Sequence, residues 1–171
     1  MVEEILIGSP VARTLGVALD VLAPEHVELV LPFSPGNVTV GKTVHGGVIA
    51  TLIDIAGAAA AASGADPDKV RGGATSALSI QYVAPAEAAA LRAVATVVRR
   101  GQRQIATEVT VYAEQPEAGD RGGEGADEQR VVWLRAREAR ALPRRAETGR
   151  DGTVCRLAVN VVPLDIALKR N

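Results

Sequence analysis

The chain has 171 residues, enough for one domain with a sizeable core, and its 19 basic and 20 acidic residues leave a net charge of −1. So balanced a composition provides no long-range field to attract nucleic acid or an anionic membrane surface. Phe33, Tyr82, Tyr112 and Trp133 are the whole aromatic set, too few for stacking platforms under bases. Cys155 is alone, which excludes an intrachain disulfide and fits a reducing, cytoplasmic compartment. Inside its apolar run it reads as a packed thiol.

The N-terminus carries Glu3 and Glu4 without a long apolar stretch, so it does not read as a secretory signal. Residues 15–31 read as two short strands around a turn at Pro24-Glu25-His26. Pro32 to Thr43, with Pro35, Gly36 and Gly41, reads as a loop. A helix is expected from Gly46 to Ser63, stopped by Gly64 and Pro67. Apolar positions surround nearly its whole circumference, the mark of a central helix. The segment is apolar enough to raise a membrane span, but Asp54 at its middle costs roughly 2.5–3.5 kcal/mol on insertion scales. A buried core helix is the better reading, and no membrane partner is expected.

Three extended segments follow, 74–83, 91–98 and 103–112, with Arg99-Arg100-Gly101-Gln102 as a hairpin turn between the last two. In the first, Leu78, Ile80 and Tyr82 alternate with Ala77, Ser79 and Gln81. A final strand is expected over 153–164. Residues 114–152 break the pattern: a Gly-rich acidic half, then an Arg-rich half, read as a charged insertion within the last hairpin of a single domain spanning 1–171. Consecutive strands with short connections pair antiparallel, so the fold class is α+β, a sheet curling around one helix.

The chemistry concentrates in His45-Gly46-Gly47 and Asp54. First-turn N–H groups of a helix have no intrahelical partner and sit at the positive end of its dipole. An oxygen gaining negative charge is stabilised there, as in ester or thioester hydrolysis. Glycine lets a carbonyl approach the backbone. Asp54 is bracketed at three and four residues by Ala50, Thr51, Gly57 and Ala58, all small, which leaves room for a substrate. A lone carboxylate among Leu52, Ile53 and Ile55 is costly to bury without a purpose; it can serve as general base or as nucleophile. His45 reads as an orienting residue at the helix mouth. His26 and His45 are the only histidines, and no spacing completes a metal site. Eight residues of helix separate Gly46 from Asp54 by about 12 Å, too far for both to serve one small carbonyl. If both act, Gly46 of one subunit faces Asp54 of another across a twofold axis.

The runs VHGGVIATLIDIAG, TSALSIQYVAP and VVRRGQRQIATEVTVY resemble the PaaI-type hotdog-fold acyl-CoA thioesterases, over roughly 30–112 and again 151–164. The resemblance implies a hotdog fold, a long helix wrapped by an antiparallel sheet, assembled as homodimers or homotetramers with active sites at the dimer interface. It implies acyl-CoA as substrate and no separate cofactor, since coenzyme A enters as part of the substrate. The catalytic carboxylate maps to Asp54, the oxyanion glycine to Gly46, and a hydroxyl residue that holds the water or carboxylate to Thr75. His45 and Gly47 complete the motif. Arg99, Arg100 and Arg103 are positional candidates for the coenzyme A phosphates. The family's Asn or Gln six residues before the motif histidine is replaced here by Thr39, with Asn37 two residues earlier. Either residue could stand in for the amide, and loss of turnover is the third outcome. That departure keeps open a hotdog dimer that binds acyl-CoA or a related small ligand without hydrolysing it.

Overall fold

The computed structural model describes residues 2–66, 72–114 and 153–164. A π-helical turn, Val2–Ile7, and helix α1, Pro10–Leu15, precede strands β1, Ala18–Ala23, and β2, His26–Leu31. After a 3-10 turn at Pro35–Asn37 come β3, Val38–Val40, β4, Thr43–Val44, and the long helix α2, Gly46–Ser63. Strands β5, Gly72–Tyr82, β6, Ala90–Arg100, β7, Ile105–Glu114, and β8, Thr153–Leu164, complete the chain order. Six strands form one antiparallel sheet in the order β1-β2-β6-β7-β8-β5, and β3-β4 is a separate small hairpin. The architecture is therefore the expected α+β one, a sheet wrapped on a single long helix.

Alternation builds the inner face of the sheet: Val27, Leu29 and Leu31 on β2, Leu91, Ala93 and Ala95 on β6, Ile105, Val109 and Val111 on β7 are all buried. Against them α2 sets Leu52, Ile53, Ala56, Ala59 and Ala60, each without exposed surface. Alanines on both sides let helix and sheet approach closely, which suits a chain so poor in aromatics. By length and composition α2 could cross a membrane, yet half of it is buried inside this fold. The burial is one-sided, unlike the all-round burial expected of it. Gly47 is exposed, and Ala50, Thr51, Asp54 and Ala58 are half-buried, leaving an open face of small residues.

On the outer face of the sheet Arg92 gathers Asp20, Glu28 and Glu114 from three other strands. Asp20 first, then Glu114, holds its guanidinium well above the usual arginine range. His26 adds a contact to Glu28 at 3.1 Å. Arg92 thus ties β1, β2 and β7 to β6 on that face.

Several expectations shift. The 32–43 loop contains the 3-10 turn and the β3-β4 hairpin. Strand β6 runs through Arg100, and the turn falls after it, closed by Gly101 N–H donating to Gln104 O at 2.9 Å. The reason is the C-terminus of α2. The Arg100 guanidinium donates to the Ala61 carbonyl at 2.9 Å and to Glu25 at 2.7 Å, so the residue is held against the helix end. Of the insertion read over 114–152, Glu114 is instead the last residue of β7, held there by Arg92, while 115–152 and the Cys155 side chain lie outside what the structure describes.

Candidate active site

Helix α2 begins at Gly46 because His45 caps it. His45 is extended, with φ −65° and ψ 131°, and its Nδ1 accepts the Gly47 N–H at 2.9 Å. An accepting Nδ1 places the proton of a neutral ring on Nε2. The His45 carbonyl accepts both Val48 N–H and Ile49 N–H, and its own N–H donates to Asn37 O at 2.8 Å. Three of the four first-turn donors are thus taken. Gly46 N–H alone has no partner among the described residues, and it stands at the positive end of the helix. One free donor is therefore isolated by the cap.

The two glycines have different jobs. A β-carbon on Gly47 would lie 2.9 Å from His45 Nδ1, so a side chain there collides with the capping ring. A β-carbon on Gly46 would meet only the Tyr82 ring at 3.5 Å, an ordinary contact. Gly47 is needed for the cap, whereas Gly46 is needed only if something must come near its backbone.

Asp54 projects from the open face of α2, half-buried, while its neighbours Leu52, Ile53 and Ile55 point into the core. The apolar ring expected around the carboxylate is on the far side of the helix, because adjacent helical residues diverge by about 100°. What the carboxylate meets is Thr75 on β5, whose hydroxyl donates to Asp54 Oδ1 at 2.6 Å. This bond fixes one carboxylate oxygen and leaves the other unengaged among the described residues.

A cleft of about 380 Å³ opens beside the helix mouth, with Thr39, Gly46, Ile49, Tyr82, Ala84 and Ala86 among its walls. Its two sides are tied by Val44 N–H to Ala86 O at 2.9 Å and Ala88 N–H to Lys42 O at 3.0 Å. Thr39 lines this cleft, while Asn37 is placed at the back of the cap through its carbonyl. Tyr82, absent from the sequence-derived set, donates its hydroxyl to Gly46 O at 2.8 Å. A second cleft, of about 680 Å³, lies at the β6-β7 turn, lined by Arg99, Gly101, Gln102, Arg103, Gln104 and Ala106. Arg100 turns instead to Glu25 and Ala61. Among the described residues no cluster of three His, Cys, Asp or Glu could hold a metal ion. The structure thus brings together His45, Gly46, Gly47, Asn37 and Thr39 at the helix mouth, and Asp54 with Thr75 further along; Arg99 and Arg103 stand apart.

Residues 41–119 match the family model described as the thioesterase superfamily. A protein of Saccharolobus solfataricus named as an inferred esterase is 25% identical over 111 residues, covering 65% of this chain and 72% of its own. A thioesterase family protein from Silicibacter pomeroyi superposes with a TM-score of 0.70 at 22% identity, covering 95% of both chains. The E. coli PaaI protein gives a TM-score of 0.64 at 15% identity, over 91% of this chain and 85% of that one. A hypothetical thioesterase protein from Streptococcus pneumoniae, solved with coenzyme A, gives 0.60 at 13% identity, over 86% and 85%.

The contrasting contacts of the two glycines make a stability prediction. Gly47→Ala is expected to lose the cap and about 1 kcal/mol, whereas Gly46→Ala is expected to be neutral or slightly stabilising. Urea denaturation of the two variants measures the difference, and equal stabilities would contradict the assignment of His45 as the cap.

Proposed function

From a chain that carries the hotdog fold and matches the thioesterase superfamily, we propose that it hydrolyses the thioester of an acyl-coenzyme A. The observation that carries this reading is the pairing of one free helix-mouth donor, Gly46 N–H, with a carboxylate fixed by a hydroxyl, Asp54 on Thr75. In the reaction Asp54 takes a proton from water, and the hydroxide adds to the thioester carbonyl. The carbonyl oxygen, now anionic, accepts from Gly46 N–H. Collapse breaks the C–S bond, and the departing thiolate takes the proton from the Asp54 carboxyl. Direct attack by Asp54, giving an anhydride that water then opens, uses the same groups in the same places.

Within one protomer Gly46 and Asp54 are about 12 Å apart along a continuous helix. The reading therefore requires a homodimer, in which each site joins Gly46 of one protomer to Asp54 of its partner. Two features support that assembly. Among the described residues strand β5 ends the sheet as an 11-residue edge with seven consecutive exposed residues, including Leu78, and such an edge invites pairing. The open face of α2 is built of residues small enough for close approach. Coenzyme A would then meet the arginines of the β6-β7 turn, with Arg99 and Arg103 free to meet its phosphates and Arg100 kept for the helix end. No further cofactor is required, and the cytoplasm, where acyl-CoA is made and used, is the proposed compartment.

One observation favours a second reading. Thr39, not an amide, stands in the cleft beside Gly46, and a dimer that binds acyl-CoA without cleaving it remains the competing function.

Release of free thiol from a panel of short, long and aromatic acyl-CoAs decides between the two. Asp54→Asn, which keeps the shape and the Thr75 contact, is expected to lower turnover by at least about a hundredfold; equal rates would remove Asp54 from the mechanism. Binding without release by the unaltered protein would favour the second reading. For the phosphate contact, Arg99→Ala with Arg103→Ala is expected to raise KM about tenfold for acyl-CoA. The same change should leave KM unmoved for an acyl thioester of N-acetylcysteamine, which lacks the nucleotide. A parallel rise for both substrates would place the arginines outside the coenzyme A site.

A further inference from the structure

Strand β5 changes the face it turns toward α2. Thr75 meets Asp54, yet Ile80 packs on the core and Tyr82 reaches Gly46. Odd and even residues of a strand point to opposite faces, so an unbroken strand presents either Thr75 or Tyr82 to the helix. The ladder explains how both are presented. Thr75 pairs with Val161 and Ala77 with Asn160, which leaves Ser76 as one extra residue on β5. That bulge reverses the alternation. One strand then serves the carboxylate at one end and the helix mouth at the other.

Tyr82 is the largest side chain on the cleft wall, and it stays 47% exposed. Here the hydroxyl is pinned to the Gly46 carbonyl at 2.8 Å, and the ring lies 3.5 Å from where a Gly46 β-carbon would be. The ring therefore stands as a fixed partition beside the residue that carries the free donor. Ile49, Ala84 and Ala86 make the rest of the cleft largely apolar. Its volume of about 380 Å³ is near the lower end of the roughly 300–1,000 Å³ range of small-molecule sites. A modest, mostly apolar space with the Gly46 residue and the Thr39 and Thr43 hydroxyls on its wall fits a short acyl group whose carbonyl lies at Gly46.

We propose that Tyr82 is the specificity-determining residue of this site, its ring limiting the acyl chain to short lengths beside Gly46. The inference rests on the thioester reading above and goes beyond it in naming the acyl class. Shortening the side chain opens the partition, and each methylene then accommodated is worth about tenfold or more in discrimination.

The test is kcat/KM of the full chain for straight-chain acyl-CoAs from acetyl to dodecanoyl. The unaltered protein is expected to prefer butyryl over decanoyl. Tyr82→Ala is expected to raise the decanoyl-to-butyryl ratio at least about tenfold, and Tyr82→Leu, a gentler truncation, carries the same test if the alanine variant does not fold. Tyr82→Phe keeps the ring and is expected to keep the ratio while lowering kcat for every substrate. Ala84→Leu, which narrows the cleft from another wall, is expected to move the ratio the opposite way. Truncation that scales all chain lengths equally would make Tyr82 a brace for the helix end and overturn the inference, with hydrolysis intact. A phenylalanine variant that shifts the ratio as far as alanine does would overturn it too. If no protein releases thiol, the same ratio is read from dissociation constants by calorimetry. A shifted ratio there upholds the size limit and overturns hydrolysis, and an unshifted ratio, or no binding, overturns both.

Discussion

A continuous α-helix rises 1.5 Å per residue, and that fixed length sets the terms for everything else in this molecule. The only free first-turn donor of α2, at Gly46, and the only carboxylate on its open face, Asp54, are eight residues apart among the described residues. No side-chain rotation closes about 12 Å. Each group is nevertheless prepared as though for use. The His45 ring takes the neighbouring N–H and leaves Gly46 alone, and the Thr75 hydroxyl fixes one oxygen of Asp54. Two prepared halves that cannot meet within one chain point to a second chain.

Strand β5 is where these halves are organised. It supplies Thr75 to the carboxylate and Tyr82 to the helix mouth, through one extra residue at Ser76. Among the described residues it is also the last strand of the sheet, paired on one side only, and through Thr75 it adjoins the open face of α2. The opposite side of the sheet is occupied by the Arg92 network, whose charges meet one another. Among the described residues the Arg92 network thus lies on the sheet's outer face, and the Asp54-Thr75 pair lies between the sheet and α2.

Much of this was legible in the residues. The bounds of α2 and of the last strand agree with expectation, because the Ala- and Ile-rich run is closed by Gly64 and, in the sequence, Cys155, Leu157, Val159 and Val161 alternate with Arg156, Ala158 and Asn160. The spacing of Gly46 and Asp54 fixes their separation once the helix is granted. Other features depend on partners distant in sequence. The apolar neighbours of Asp54 looked like its surroundings, but in the helix they turn to the sheet, and the contact comes from Thr75, 21 residues away, which the family resemblance named and the local spacing did not. Arg99, Arg100 and Arg103 look alike in sequence. Only the approach of the α2 C-terminus separates Arg100 from the other two. Tyr82 lay within a recognised alternation with Leu78 and Ile80, but an alternation carried back to Thr75 puts that residue on the wrong face. The bulge that reconciles them is a property of the ladder with β8 and has no mark in the composition of β5.

Complementation between two defective chains tests the shared site most directly. Gly46→Pro deletes the free N–H: proline suits the first helical position, its β-carbon would meet the Tyr82 ring at an ordinary 3.5 Å, and His45 before it is already extended. Asp54→Asn disables the other half. Each variant alone is expected to be nearly inactive as a thioesterase. Mixed in equal amounts and allowed to exchange subunits, they form hybrid dimers with one intact site and one doubly defective site. Thioester hydrolysis should recover to about a quarter of the unaltered rate. No recovery, with exchange verified by mass spectrometry, would place both groups of each site in one chain and contradict the account.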